Sequence, residues 1–266
     1  TTAISNLLRM YKETGTMERI CILSPTFHSN IKILEQLNIR PEDIWDDIDD
    51  TSVVDKIRNI CDEERDDFLR YKKLKANYDK IMGQIDDGLL PMTGEYDDYL
   101  MDYYDVSRNT FRMPEPKYKC YLQGRPPVVS VIMDDVSGGA ICNSKALVKL
   151  VKTHRHIAPT YDGGAVGVSL YYLVQTYKAQ NGLNKSIRSQ ITTALIGRSR
   201  CADEMKVIAE SFAGEISPET FLSVHHEATK DSPHDFLHVD MHPKQPFQRF
   251  RKNFDQYLIV DETGVK

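Results

Sequence analysis

Val128–Asp135, VVSVIMDD, is a stretch of six residues with strong apolar bias followed by two adjacent carboxylates. Apolar length without polar alternation is the pattern of a strand buried on both faces, as in a parallel sheet covered by helices. Such a strand delivers Asp134 and Asp135 to the carboxyl edge, where open α/β sheets bind their ligands. Paired acids there suit a nucleotide-bound magnesium and the water that attacks a phosphate. They also suit a tight turn, because Asp readily bonds its own backbone in such positions.

Outward from this stretch, the composition is that of an ordinary globular protein. The 266 residues are 41% hydrophobic and 27% charged, enough chain for one large α/β domain or two small ones. No apolar run approaches the ~20 residues of a membrane helix, and no signal peptide is visible. The five cysteines, Cys21, Cys61, Cys120, Cys142 and Cys201, lack any CxxC spacing. They read as reduced thiols, not as a disulfide framework or a zinc knuckle. The net charge of −5 is unevenly spread. Residues 46–105 are rich in acids, whereas Lys145, Lys149, Lys152, Arg155, Lys178, Lys185, Arg188, Arg198 and Arg200 form basic clusters. An acidic total is compatible with a nucleic-acid partner if one face or an oligomer pore is basic. The same residues also read as solvated helix faces.

Periodicity sets out the remaining elements. Residues 1–14 read as a helix with Ile4, Leu7, Leu8 and Tyr11 on one face, ended by Gly15. Arg19–Ser24 reads as a strand, Pro25-Thr26 breaks it, and a helix to about Leu37 follows. From Thr51 to about Gln84, apolar residues recur at threes and fours between dense charges, the pattern of a long amphipathic helix. Gly88, Pro91 and Gly94 then break the chain. Residues 46–125 read as a helical, acidic insertion, too polar to supply sheet strands. Beyond the acidic pair, Asn143 or Ser144 caps a helix running to about Thr153. Asp162-Gly163-Gly164 is a loop tip, and Val166–Val174 is a second buried strand. Thr193–Ile196 is a short strand, and 201–213 and 218–227 are helices. Phe236–Met241 and Gln256–Val260 are late strands that suit a hairpin. Strands alternating with helices predict a mainly parallel sheet.

Several residues then become candidates for chemistry. A phosphate loop ends in Gly-Lys-[Ser/Thr], with the hydroxyl on magnesium. No such motif occurs in the 266 residues, but the opening Thr1-Thr2-Ala3-Ile4 looks like the helix that follows one, cut at its first residues. In that setting Thr1 and Thr2 sit at the phosphates, with Thr1 a metal ligand; taken alone, they are a helix cap. Gln175, at the end of the strand expected beside the acids, suits a γ-phosphate sensor or simply a strand end. Arg188, just after that strand, suits an arginine finger, as does Arg155; either also reads as a surface or DNA-facing residue. His234, His238 and His242 are spaced by four, but they fall on a strand pattern that disfavours a shared zinc. No G-x-S-x-G elbow and no Cys/His nucleophile pattern is present.

The order of ICILSPT (Ile20–Thr26), VVSVIMDD, THRHI (Thr153–Ile157), VSLYYLVQTYK (Val168–Lys178), KSIRSQITTALIGR (Lys185–Arg198) and HDFLHVDM (His234–Met241) resembles the genome-packaging ATPases of large DNA viruses. These are the poxvirus-type branch of the FtsK/HerA superfamily. The resemblance covers roughly 1–40 and 126–260. It implies a single RecA-like P-loop ATPase domain over 1–266, using ATP and magnesium to move double-stranded DNA into a capsid. It also implies a homo-oligomer, a capsid or portal-vertex partner and a place in the virion or host cytoplasm. Asp134 takes the magnesium-binding position, Asp135 stands where many relatives have a catalytic Glu, Gln175 is the sensor and Arg188 or Arg155 the finger. Two other readings remain open. One is the ATPase half of a phage-type terminase, although the C-terminal part holds no compelling acidic triad for a nuclease. The other is a non-catalytic DNA-binding or structural protein on a degenerate NTPase fold.

Overall fold

The chain runs through α1 (Thr2–Glu13), β1 (Ile20–Leu23), β2 (Ile44–Trp45), α2 (Val53–Asp86), β3 (Tyr104–Asp105), β4 (Thr110–Phe111), β5 (Val128–Asp134), α3 (Lys145–Thr153), β6 (Ala158–Pro159) and β7 (Ala165–Leu173). It continues through α4 (Lys185–Arg188), β8 (Thr193–Ile196), α5 (Ala202–Phe212), α6 (Pro218–Thr229), β9 (Leu237–Asp240), β10 (Phe250–Lys252), β11 (Gln256–Tyr257), β12 (Val260–Asp261) and β13 (Gly264–Val265). This computed structural model describes residues 2–15, 17, 19–27, 37–86, 103–105, 110–111, 113–119, 125–177, 183–199, 201–261 and 264–265. The helix expected after Pro25-Thr26 and up to about Leu37 falls largely outside them, as do Thr1, Lys178 and Arg200. The chain forms two compact units: Thr1–Asp134 with Thr153–Leu173, and Asp135–Lys152 with Val174–Lys266.

In the first unit, five strands lie in the order β2-β1-β5-β7-β6. All neighbours pair in parallel except β6, which runs antiparallel to β7. The sheet is layered because its strands carry apolar residues on both faces. Ile20, Ile22, Ile132, Tyr171 and Leu173 meet Ile4, Leu8 and Tyr11 of α1 on one face. On the other, α2 lies against β6 and β7 and brings its buried Cys61 into the surroundings of Cys21. Burial pushes the Cys61 thiol up to about 12 and raises that of Cys21 further. Both are therefore unreactive thiols of the core. Double coverage is the reason every residue from Val129 to Asp134 is buried. Each large apolar side chain enclosed this way contributes about 1.5–3 kcal/mol.

The structure differs from the sequence reading at three places in the sheets. Ile44–Trp45, for which the sequence suggests no element, form the edge strand beside β1. Within 46–125, β3 and β4 pair with each other and not with the large sheet. In the second unit the strands are antiparallel, in the order β11-β10-β9-β8. The expected partner of β9 was 256–260; its actual partner is β10, and β11 adds outside it. Phe250-Arg251-Lys252 carries one apolar residue, too little for a strand signal. Opposite Val239 it buries Phe250 into the helical core formed with Phe212, Phe221 and Val224.

Candidate functional site at the carboxyl edge of the parallel sheet

The site begins with Asp134, the last residue of the central strand β5 and only 6% exposed. Its neighbour in register on one side is the end of β1, where Leu23 pairs with Met133. The next residue, Ser24, is fully buried and donates its Oγ hydrogen to Asp134 Oδ2 at 3.4 Å. Ser24 Oγ also lies 3.3 Å from Thr26 Oγ1. A buried carboxylate and two hydroxyls thus line the same edge. The sequence alone assigns Ser24-Pro25-Thr26 no role in the chemistry. The available signal was a hydroxyl pair directly after an apolar strand.

Helix α1 is aimed at this edge. Only Thr14–Arg19 separate it from β1, and the turn is closed by Gly15 in the left-handed region (φ 65°) and a bond from Met17 N to Tyr11 O of 3.3 Å. A helix that packs along β1 and β5 after so short a connection runs antiparallel to them, so its amino end faces the rim where they finish. The positive end of the helix dipole therefore points toward the rim that holds Asp134. Thr2 begins the helix, and Thr1 lies outside the described residues.

Asp135 is half-exposed and adopts φ 54°. This left-handed conformation ends the strand pleat at the second acid. Non-glycine residues held there cluster at functional sites, and Asp tolerates it better than most. On the other side of β5, Asp134 pairs with Leu173. Gln175 follows two positions later and is exposed, so the chain carries it out from the carboxyl end of β7. Arg188, at the end of α4, is half-buried with its guanidinium 5.2 Å from the centre of the Tyr177 ring. Its Nε is buried without a hydrogen bond. Arg155 belongs to the opposite rim. The carbonyl of its neighbour His154 accepts from Val168 N at 2.7 Å, near the start of β7. Val168 lies about 17 Å of strand from the Leu173 end. Within one chain Arg155 does not reach the Asp134 rim.

Asp134, Ser24 and Thr26 supply hard oxygen donors, suited to magnesium and not to zinc. Among the described residues, no group of three or more His, Cys, Asp or Glu is arranged to hold a metal by itself. An ion at this rim would thus depend on one carboxylate, hydroxyls, water and the ligand's own oxygens, the usual balance for phosphate-bound magnesium. The spaced histidines are divided by function of place: His238 sits in β9, His234 before it and His242 after it.

His225 has a structural role instead. It is buried in α6 and its Nε2 donates to Gly197 O at 3.0 Å, which fixes a neutral tautomer. Burial, against the help of that carbonyl, holds its pKa below the usual 6.5, and burial with Arg251 nearby does the same to His238. A histidine whose folded pKa is depressed stabilises the fold fully above its unfolded pKa and loses that contribution as pH falls toward the folded value. The second unit is therefore expected to lose stability between pH 7 and pH 5. Urea midpoints measured across that range check it, and the pH slope shrinks in His225→Gln. A flat profile contradicts the assignment.

Comparison of the chain with known protein families, with curated proteins and with solved structures gave no match to any of them.

Proposed function

We propose that this chain is the core of a DNA-translocating ATPase of the genome-packaging kind, with a RecA-like arrangement around the parallel sheet. One observation carries the reading: Asp134 is buried at the carboxyl end of the central strand of a parallel sheet, beside the Ser24 and Thr26 hydroxyls, at the rim that α1 faces. Support also comes from the order of β1, β5 and β7, which lie side by side and parallel in chain order. That order leaves the acid-bearing strand between the first strand and the one that leads to Gln175.

In this reading Asp134 holds the metal side of the site, with Ser24 orienting its carboxylate. Asp135, released from the strand pleat, orients the attacking water and accepts its proton. Gln175 contacts the terminal phosphate. Asp134, with the Ser24 hydroxyl beside it, would hold magnesium, which when bound would supply positive charge against the negative charge that develops during transfer. Contact with duplex DNA is through its phosphates, hence nearly sequence-blind and weakened by salt. Arg188, stacked on Tyr177, must leave that ring to act as a finger in a neighbouring subunit.

The test is magnesium-dependent ATP hydrolysis by the full-length gene product, with and without duplex DNA. Turnover that rises when DNA is added is the expected result. A well-folded full-length protein without any ATPase activity in either condition overturns the proposal.

A further inference from the structure

The outer face of the antiparallel sheet in the second unit carries side chains that its core does not use. Register sets Leu195, His238, Arg251 and Tyr257 side by side across β8, β9, β10 and β11. Their strand neighbours Leu237, Val239 and Phe250 point the other way, into the helical core. Phe254, in the turn between β10 and β11, meets His238 edge-on with ring centres 6.1 Å apart. Phe247 meets Tyr257 edge-on at 5.6 Å. The Arg251 guanidinium lies 4.8 Å from the centre of the Tyr257 ring.

These rings stay open to solvent: Phe247 is 45% exposed, and Phe254 and Tyr257 are each 39% exposed. Arg251 makes no ion pair among the described residues, whereas its neighbour Lys252 is held by Asp231 and Asp235. Arg251 Nε and His238 Nδ1 are buried and have no hydrogen-bond partner, so only the outer end of the guanidinium is offered to a ligand. The face thus combines exposed rings with a guanidinium that rests on one of them and pairs with no acid among the described residues.

We propose that this face binds single-stranded nucleic acid, with unpaired bases stacking on Tyr257, Phe254 and Phe247 and a backbone phosphate meeting Arg251. Aromatic rings on an antiparallel sheet accept any base, because every base has a π face. At about 4.8 Å between strands the row spans roughly 14 Å, room for two or three nucleotides. An apolar helix from a protein partner fits less well. It would cover the Arg251 guanidinium, which has no ion-pair partner among the described residues, at a desolvation cost. A duplex fits less well too, since its bases are already stacked and only its phosphates remain for Arg251. The proposal is independent of the ATPase reading, because the face lies wholly within the second unit and uses none of the carboxyl-edge residues.

The experiment is fluorescence anisotropy with the full chain and a labelled oligothymidylate of about twenty nucleotides, against a duplex of equal length. Single-strand binding that depends on the rings, with duplex binding that does not, is expected. Tyr257→Leu and Phe254→Leu keep apolar bulk but remove the rings, and each is expected to weaken single-strand binding about five- to tenfold. Arg251→Gln is expected to weaken it and to reduce the salt slope by about one. Circular dichroism checks that each variant is folded. If either leucine variant disturbs the sheet, Phe247→Ala, outside the strands, carries the same expectation. Folded ring variants that bind as wild type overturn the proposal. So does a wild-type protein that does not bind the single strand, or ring variants that weaken duplex binding as much as single-strand binding.

Discussion

Asp134→Asn is expected to reduce magnesium-dependent ATP hydrolysis by the full-length protein about a hundred- to a thousandfold while leaving the fold intact. Asparagine keeps the shape of the side chain and an oxygen to accept from Ser24 Oγ, now 3.4 Å from Asp134 Oδ2. What it removes is the negative charge. Fixed charges placed where a reaction develops charge account for rate factors of that size, because a buried site screens them poorly. The loss should fall mainly on kcat and on the magnesium concentration needed, with less effect on nucleotide affinity. Ser24→Ala provides the graded control: it leaves the charge but not its orientation, so a loss of about tenfold or less is expected. If Asp134→Asn hydrolyses ATP at near the wild-type rate, the carboxyl-edge site is not where catalysis occurs. Asp135→Asn then separates the acids, because an effect confined to it moves the chemistry out of the strand and onto the turn.

VVSVIMDD was legible because full burial leaves a one-dimensional trace. A strand covered on both faces needs no polar alternation, and two charges after such a run must mark its end. The long helix α2 was legible for a similar local reason, its threes-and-fours pattern over 34 residues. The missed features depend on register, which one sequence does not display. In the sequence Ser24 reads as the end of a strand and Thr26 as part of the break at Pro25. They become neighbours of Asp134 only because Leu23 pairs with Met133 across a gap of more than a hundred residues. Arg155 looks like a plausible finger until the turn at His154 is seen to abut the beginning of β7. β10 was invisible because its stability comes from one inward phenylalanine and two paired neighbours. The outer-face rings escaped notice for the same reason. They lie between 247 and 257, and only strand pairing brings them beside His238 and Arg251.

The two acids also divide in a way the sequence could not indicate. Asp134 is held by β5 and buried, while Asp135 is half-exposed and sits in a left-handed turn where the second compact unit begins. Adjacent, chemically identical residues therefore experience different constraints. The first is fixed by the sheet, and the second is fixed by a backbone conformation that glycine or asparagine would also accept. In the proposed mechanism this matches a division of labour, a rigid metal ligand and a separately positioned base.

Arg19→Met is expected to destabilise the first unit by about 3–5 kcal/mol, the usual cost of removing one partner of a buried ion pair. Arg19 is 7% exposed and enters the sheet just ahead of β1. Its Nε donates to Asp43 Oδ2 at 2.8 Å and its Nη2 to Asp43 Oδ1 at 2.9 Å. Asp43 is itself only 1% exposed, so the two form a bidentate pair out of water. A third bond reaches Glu63 Oε2 at 2.6 Å, and Glu64 of the same helix is bound by Lys119 at 2.8 Å. One guanidinium thus joins β1, the turn before β2 and α2. Methionine matches much of the buried stem but leaves the Asp43 carboxylate desolvated and alone. The double variant Arg19→Met/Asp43→Leu removes the stranded charge and should recover more than half of the loss. By contrast, Glu63 is largely exposed, and Glu63→Gln should cost less than about 1 kcal/mol because solvent screens that bond. Urea unfolding of the three variants measures all of this. A single-variant loss no larger than that of Glu63→Gln, or a double variant worse than Arg19→Met, shows that the pair does not hold the sheet to its helix.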